Sequence, residues 1–227
     1  NKSVGAAVDM DQAMNQFIAS TGKSSDEAER YQGILESIYA NNYGEDFEDI
    51  ADSMALITKS MGDMSDDQLQ SITESAYEFQ DVFGFDIRES VRSAQMMVDQ
   101  FGISGESAFN LIAQGAQAGL DKNGDFLDSI NEYSVQFAQL GLDATDMLNI
   151  FNAGAQSGAI SIDKVGDAVK ELVITVKDGT ATDALEALGL NAEETAAAFA
   201  RGGKDAFYAF LDVNEALSAL EDPLQQN

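Results

Sequence analysis

FGISGESAFNLIAQGAQAGLDKNGDFLDSINE, residues 101–132, is echoed 39 residues later by LGLDATDMLNIFNAGAQSGAISIDKVGDAVKE, residues 140–171. Aligned without a gap, Gly102, Asn110, Gly115, Ala116, Gln117, Gly119, Asp128 and Glu132 fall on identical residues in the second stretch. The apolar positions coincide too: Phe109 with Leu148, Leu111 with Ile150, Phe126 with Val165, and Ile130 with Val169. Unrelated amphipathic helices share a hydrophobic rhythm, but they do not share GAQxG at a fixed offset from an Asn. The two stretches read as copies of one building block, and such a repeat decides architecture before any single helix does.

The period extends outward through helix signals. Residues suited to cap a helix N-terminus stand at Asp26, Ser65, Ser104, Asp143 and Thr182, in 39-residue steps. Helix-stopping glycines follow at Gly62, Gly102, Gly141 and Gly179, and a second series of helix starts runs through Asp46, Asp86, Asp125 and Lys164. Each unit is therefore expected to hold two helices, each followed by a turn; outside the central pair this rests on caps and spacing. One junction occurs four times: Phe83-Gly84-Phe85-Asp86, Phe101-Gly102-Ile103-Ser104, Leu140-Gly141-Leu142-Asp143 and Leu188-Gly189-Leu190-Asn191. In each, a Gly past the helix end adopts the left-handed conformation cheaply and the next apolar residue folds back on the last turn. The polar residue after that caps a new helix at once. Reciprocal capping boxes are expected at Ser24–Glu27, Ser65–Gln68, Asp86–Glu89 and Asn191–Glu194.

Apolar stripes at three-and-four spacing fill the intervals. They run through Tyr31, Ile34, Leu35, Ile38 and Tyr39, then Phe47, Ile50, Met54, Ile57 and Met61, then Leu69, Ile72, Ala76, Phe79 and Phe83. A weaker helix covers Ala6–Ile18. Further helices are predicted over roughly 104–118, 125–140, 143–157, 163–177, 182–188, 191–200 and 204–220. LVITV, 172–176, could pass for a strand, but it continues the helical stripe of its unit. With one proline in the chain, at Pro223, the expected fold is all-α, a stack of helical hairpins with a 39-residue period. The expected organisation is a lead-in helix over 1–25, a hairpin repeat over 26–179, and C-terminal helices over 180–227 running into a further segment.

The 227 residues, 44% of them hydrophobic, suffice for a real core. A net charge of −28 disfavours direct binding to a nucleic-acid backbone or an anionic membrane. The absence of Cys, His and Trp excludes thiol catalysis, disulfides, His-based triads and nearly all zinc, copper or haem sites. No apolar run reaches the roughly 18–20 residues of a membrane-spanning helix. The start at Asn1 and the polar end at Asn227 are those expected of a fragment of a longer chain.

Five features of the chain could bear on chemistry. Gly22-Lys23-Ser24 lacks the upstream glycine of a phosphate-binding loop, because Phe17 stands there, so it reads as a helix stop followed by a cap. Asp121, Asn123, Asp125, Ser129 and Glu132 occupy positions 1, 3, 5, 9 and 12 of a calcium-loop pattern. Phe126 takes the place of its obligatory Gly, however, and Asp128 that of its usual apolar residue. An inter-helix loop with Asp125 as cap and Asp128 near the positive helix end is the better expectation. GAQAG at 115–119 and GAQSG at 154–158 have the small-xxx-small spacing of close helix packing, here expected against the next unit. Acidic pairs such as Asp66-Asp67 and Glu193-Glu194 follow from 40 acidic residues and mark no acid/base couple. Met96-Met97 read as core. No catalytic, cofactor-binding or metal-ligating residue is assigned, and no cofactor is expected.

FGFDIRESVRSAQMMVDQFGIS, FNLIAQGAQAGLDKNGDFLDSINEYSVQFAQLGLDATDM and NAGAQSGAISIDKVGDAVKELVI together resemble the amino-terminal region of tail tape measure proteins of long-tailed phages and prophages of Gram-positive bacteria. The resemblance runs from about Asp26 to Leu220 and is strongest between Phe83 and Val176. It implies a long, largely helical structural protein, not an enzyme, whose length sets that of the tail and which leaves the tube ahead of the DNA at infection. The implied location is the tail tube lumen of the virion, after assembly in the host cytoplasm. The implied partners are the tail tube protein, tail assembly chaperones, distal tail or baseplate proteins, and other copies of itself. Membrane contact would fall to other parts of the full-length chain. From the residues alone, an acidic α-solenoid module that binds proteins without catalysis fits as well, while an acidic wall hydrolase would need essential glutamates.

Overall fold

Twelve α-helices make up about four-fifths of the described residues of the computed structural model, which are 2–158 and 161–225. They are α1 (Lys2–Thr21), α2 (Ala28–Ala40), α3 (Phe47–Met61), α4 (Asp66–Phe83), α5 (Ile87–Phe101) and α6 (Gly105–Gln117). The second half holds α7 (Phe126–Gln139), α8 (Ala144–Gln156), α9 (Ile162–Asp178), α10 (Thr182–Ala187), α11 (Ala192–Arg201) and α12 (Gly203–Gln225). Among the described residues there is no strand, and LVITV lies inside α9. The fold is all-α.

The repeated junction folds as its sequence dictates. Gly84, Gly102, Gly141 and Gly189 all have positive φ, from 68° to 79°. The N–H groups of Phe85, Leu142 and Leu190 reach back to the carbonyls of Phe79, Phe137 and Leu185 at 3.3, 3.1 and 2.9 Å, closing the helix end. Asp86, Ser104, Asp143 and Asn191 then accept the N–H of the residue three positions on, at 2.8–3.1 Å. Each such cap is worth about 1 kcal/mol.

Several boundaries depart from expectation. At the first of the expected caps, Asp26 lies inside a short 3-10 turn, Ser25–Glu27, opened by Ser24. Thr182 is the first residue of α10 rather than its cap, and its hydroxyl donates to the Gly179 carbonyl. α9 starts at Ile162 under Ser161, three residues before the register copied from α7, which makes Lys164 its third residue. Ser24–Glu27 and Ser65–Gln68 form full capping boxes, but Asp86 and Asn191 make only half of theirs, and Glu89 turns instead to Arg92 at 3.4 Å. An unforeseen box joins Asp143 and Asp146, since an Asp at the third position reaches the cap N–H at 3.0 Å.

The chain forms two compact units, 1–114 and 115–227, divided within α6 and thus inside the 26–179 span. In the first, each of α1–α3 packs on the next helix and on the next but one, a solenoid-like pattern. Its core includes Phe17, Leu35, Ile38, Ile50, Met54, Ile57 and Met97, all nearly solvent-free, while Met96 is half-buried and Tyr39 remains 47% exposed. Phe79 meets Phe109 at a centroid distance of 5.1 Å. In the second unit α7 and α9 form the centre: α8 packs on both, α11 packs on α9, and α12 packs on α11 and α7. Phe126, Ile130, Tyr133, Phe137, Met147 and Phe151 fill the space between. One contact there admits no side chain at all: a Cβ on Gly141 would lie 2.3 Å from the carbonyl oxygen of Gly203.

Candidate functional site

The calcium-like loop is occupied with capping its own helix. Asp121 accepts the N–H of Phe126, the first residue of α7, at 3.2 Å. Asp125 stands at the cap position without a side-chain cap bond, and one of its carboxylate oxygens is buried with no hydrogen-bond partner. Burial raises the pKa of Asp121, with a smaller contribution from the nearby Asp125 charge. Glu132, the last residue of the pattern, bonds instead to Lys170 of α9 at 2.9 Å. Among the described residues, no group of three or more Asp or Glu side chains is placed to hold a metal ion.

Of the GAQxG glycines, the first in each copy packs closely, against the partner helix of the same unit, whereas Gly119 and Gly158 lie past the ends of α6 and α8 in turns with φ 81° and 92°. A Cβ on Gly115 would lie 2.2 Å from Cζ of Phe126, at the start of α7. A Cβ on Gly154 would lie 2.4 Å from Cγ2 of Val165, in the first turn of α9. Both pairs are separated by eleven residues, and one pair follows the other by 39. The cost of about 1 kcal/mol for a glycine inside a helix is offset here by the approach it permits. Gly166 makes a third such contact, against Tyr133. It stands in no repeated motif, and sequence reading passed over it.

Polar links tie α1 to α3, α2 to α4 and α7 to α9, directly or through their flanking turns. In the first unit Gln16 bonds Asp52 at 2.9 Å, Lys23 pairs with Asp63, and Arg30 pairs with Asp66. Asn41 bonds Glu74 at 2.8 Å and Tyr43 donates to Glu78 at 2.6 Å. The Glu78 carboxylate pushes the Tyr43 hydroxyl up to about 12. In the second unit Tyr133 donates to Asp163 at 2.8 Å, and Lys177 to Gln139 at 3.1 Å. Gly22-Lys23-Ser24 belongs to this framework: Gly22 has φ 70°, Lys23 holds Asp63, and Ser24 caps the following turn. Asp66-Asp67 and Glu193-Glu194 lie in the first turns of α4 and α11, where the helix dipole favours acids.

One large concavity belongs to the second unit, between α8, α9 and α12, and its lining is mostly apolar. Among the described residues, no helix is long and apolar enough to cross a membrane.

The family of phage-related minor tail proteins matches this chain over residues 38–227. A protein of Streptomyces phage phiC31, described as a probable tape measure protein, is 28% identical over 134 residues, covering 58% of this chain and 18% of that relative. The chain thus matches less than a fifth of that protein's length. No solved structure matches.

Proposed function

The chain belongs to the phage-related minor tail protein family, and from that premise we propose that it is a segment of a tail tape measure. The observation that carries this reading is the similarity to the probable tape measure protein of phage phiC31. The proposed role is structural: the protein occupies the lumen of the tail tube, contributes to its length, and leaves with the DNA at infection. Its proposed partners are the tail tube protein, assembly chaperones that hold it in the host cytoplasm, distal tail or baseplate proteins, and other copies of itself. We assign it no catalytic step, no direct contact with nucleic acid, and membrane contact only through other parts of the full-length protein.

The helical building block is the proposed unit of length. α6 and α8 begin and end 39 residues apart, with caps Ser104 and Asp143 and glycines Gly115 and Gly154 in register. A drawn-out helix would rise by about 1.5 Å per residue, whereas hairpins packed as they are here span far less. We therefore propose that the packed helices are the form of the free chain and that they are drawn out inside the tube.

Tail length in a phage whose protein lacks Ser104–Leu142 tests this directly. Loss of these 39 residues shortens the tail by about 58 Å if the segment is part of an extended ruler. Tails of unchanged length that fail to infect would instead make it a folded module acting in ejection or anchoring.

A further inference from the structure

The groove between α8, α9 and α12 has a volume of about 1350 Å³ and lies wholly within the second unit. α8, the turn that follows it and α9 line it with small exposed residues, Ala153, Ser157, Gly158 and Ala168, beside the larger Ile150 and Leu172. From α12, Leu211 and Leu217 face the same space, at 44% and 45% exposure. A single exposed leucine needs no explanation, but apolar residues of three helices around one open space do. The topology shows why the space is open. In the first unit α4 flanks α2 as its next-but-one neighbour, but α10, with six residues against the thirteen of α8, makes no comparable packing on α8.

The shape suits a helix. Small residues on α8 and α9 let a helical backbone approach to the 8–10 Å of close packing. The lining stretch of α12, Phe207 to Leu217, covers eleven residues, which at roughly 1.5 Å each is about three helical turns. The charge suits a cationic one. The second unit carries 19 Asp and Glu against 6 Lys and Arg, and the groove itself contains only Lys164 and Asp146. Glu171 stands seven residues after Lys164 on α9, and Glu215 four after Leu211 on α12, so both border the apolar lining. A second copy of this chain would bring a further −28 against the same acidic surface.

We propose that this groove binds an amphipathic helix of another protein, about three turns long, with an apolar stripe flanked by Lys and Arg. The inference stands apart from the ruler reading, since it concerns the folded second unit.

The test uses the full 227-residue chain and a fluorescent 18-residue Leu/Lys helical peptide, with a Leu/Glu peptide of the same pattern as control. The key variant is Leu211→Gln with Leu217→Gln, which alters two exposed side chains and leaves the net charge unchanged. Anisotropy should show saturable 1:1 binding of the Leu/Lys peptide alone, weakened about tenfold or more in the variant, as expected for the loss of two apolar contacts. Ala168→Trp, which fills the groove from α9, should give the same loss and covers the case of a misfolded double variant. Equal affinity in wild type and variants would reduce the binding to bulk charge attraction and overturn the proposal. Binding of both peptides, or of neither, would overturn it as well. A dimer in sedimentation that the Leu211→Gln/Leu217→Gln change dissolves would hand the groove to a second copy.

Discussion

Gly166 of α9 lies against the ring of Tyr133 of α7, so that a Cβ built on it would stand 2.1 Å from Cδ2 and 2.5 Å from Cγ. The ring has nowhere to go: Tyr133 is 2% exposed, and its hydroxyl donates to Asp163 at 2.8 Å. Alanine normally stabilises an exposed helix position relative to glycine by about 0.5–1 kcal/mol. Here overpacking reverses the sign, and Gly166→Ala should cost about 1–3 kcal/mol. Gly33 of α2, with nothing within 4 Å of its absent Cβ, supplies the contrast, and Gly33→Ala should show the ordinary gain. Urea unfolding of both variants measures this; a stabilised Gly166→Ala protein would mean that α7 and α9 are not packed as described.

Which features were legible in the sequence follows from how local their causes are. The Gly-apolar-polar junctions carry their whole mechanism within four residues: all four have a positive-φ Gly and a side-chain cap, and three, at Phe85, Leu142 and Leu190, also close the helix end with a backward N–H bond. The small-xxx-small spacing likewise marks Gly115 and Gly154 as sites of close approach, although Gly119 and Gly158, which it marks equally, fall in turns beyond the helix ends. The partners of Gly115 and Gly154, Phe126 and Val165, were not legible, because helix spacing alone does not say which neighbour fills the gap. Asp125 holds the cap position of α7 as read, but its side chain makes no cap bond there, and the loop geometry instead brings Asp121 to the Phe126 N–H. The groove could not be foreseen either. It arises from what α10 lacks in length, and its lining comes from residues as far apart as Ile150 and Leu217.

Asp121 makes the second unit sensitive to pH in a direction opposite to that of most carboxylates. Burial raises its pKa above the ordinary aspartate value, so the folded state holds the proton more tightly than the unfolded chain. Such a group contributes most below its unfolded pKa of about 3.9, and that contribution is lost as pH rises through the folded value. At neutral pH the wild type therefore bears the cost of a partly buried charge. Asp121→Asn keeps an oxygen to accept the Phe126 N–H and removes that cost. The variant should unfold at higher urea than wild type at pH 7.5, with the difference narrowing as pH falls toward about 4.5. A variant less stable at pH 7.5 would show that the negative charge beside the α7 N-terminus outweighs its desolvation.

The two glycine contacts make the 39-residue equivalence a matter of energy that a thermodynamic cycle can measure. Phe126 reaches Gly115 through its ring tip, Cζ, whereas Val165 reaches Gly154 through a methyl on its β-carbon. Gly115→Ala should therefore be destabilising alone, and Phe126→Leu, which lacks the ring tip, should cost stability by opening space in the core. Combined, each change relieves the other, and the double variant should lose less than the sum of the singles by more than about 0.5 kcal/mol. Gly154→Ala with Val165→Ala should show coupling of the same sign. It should be smaller, because Val165 is only half-buried and lines the open groove, so the backbone there has room to shift. Additive effects in both cycles would leave the two GAQxG motifs alike in sequence only. Coupling in the Gly115–Phe126 cycle alone would confine close packing to the first copy.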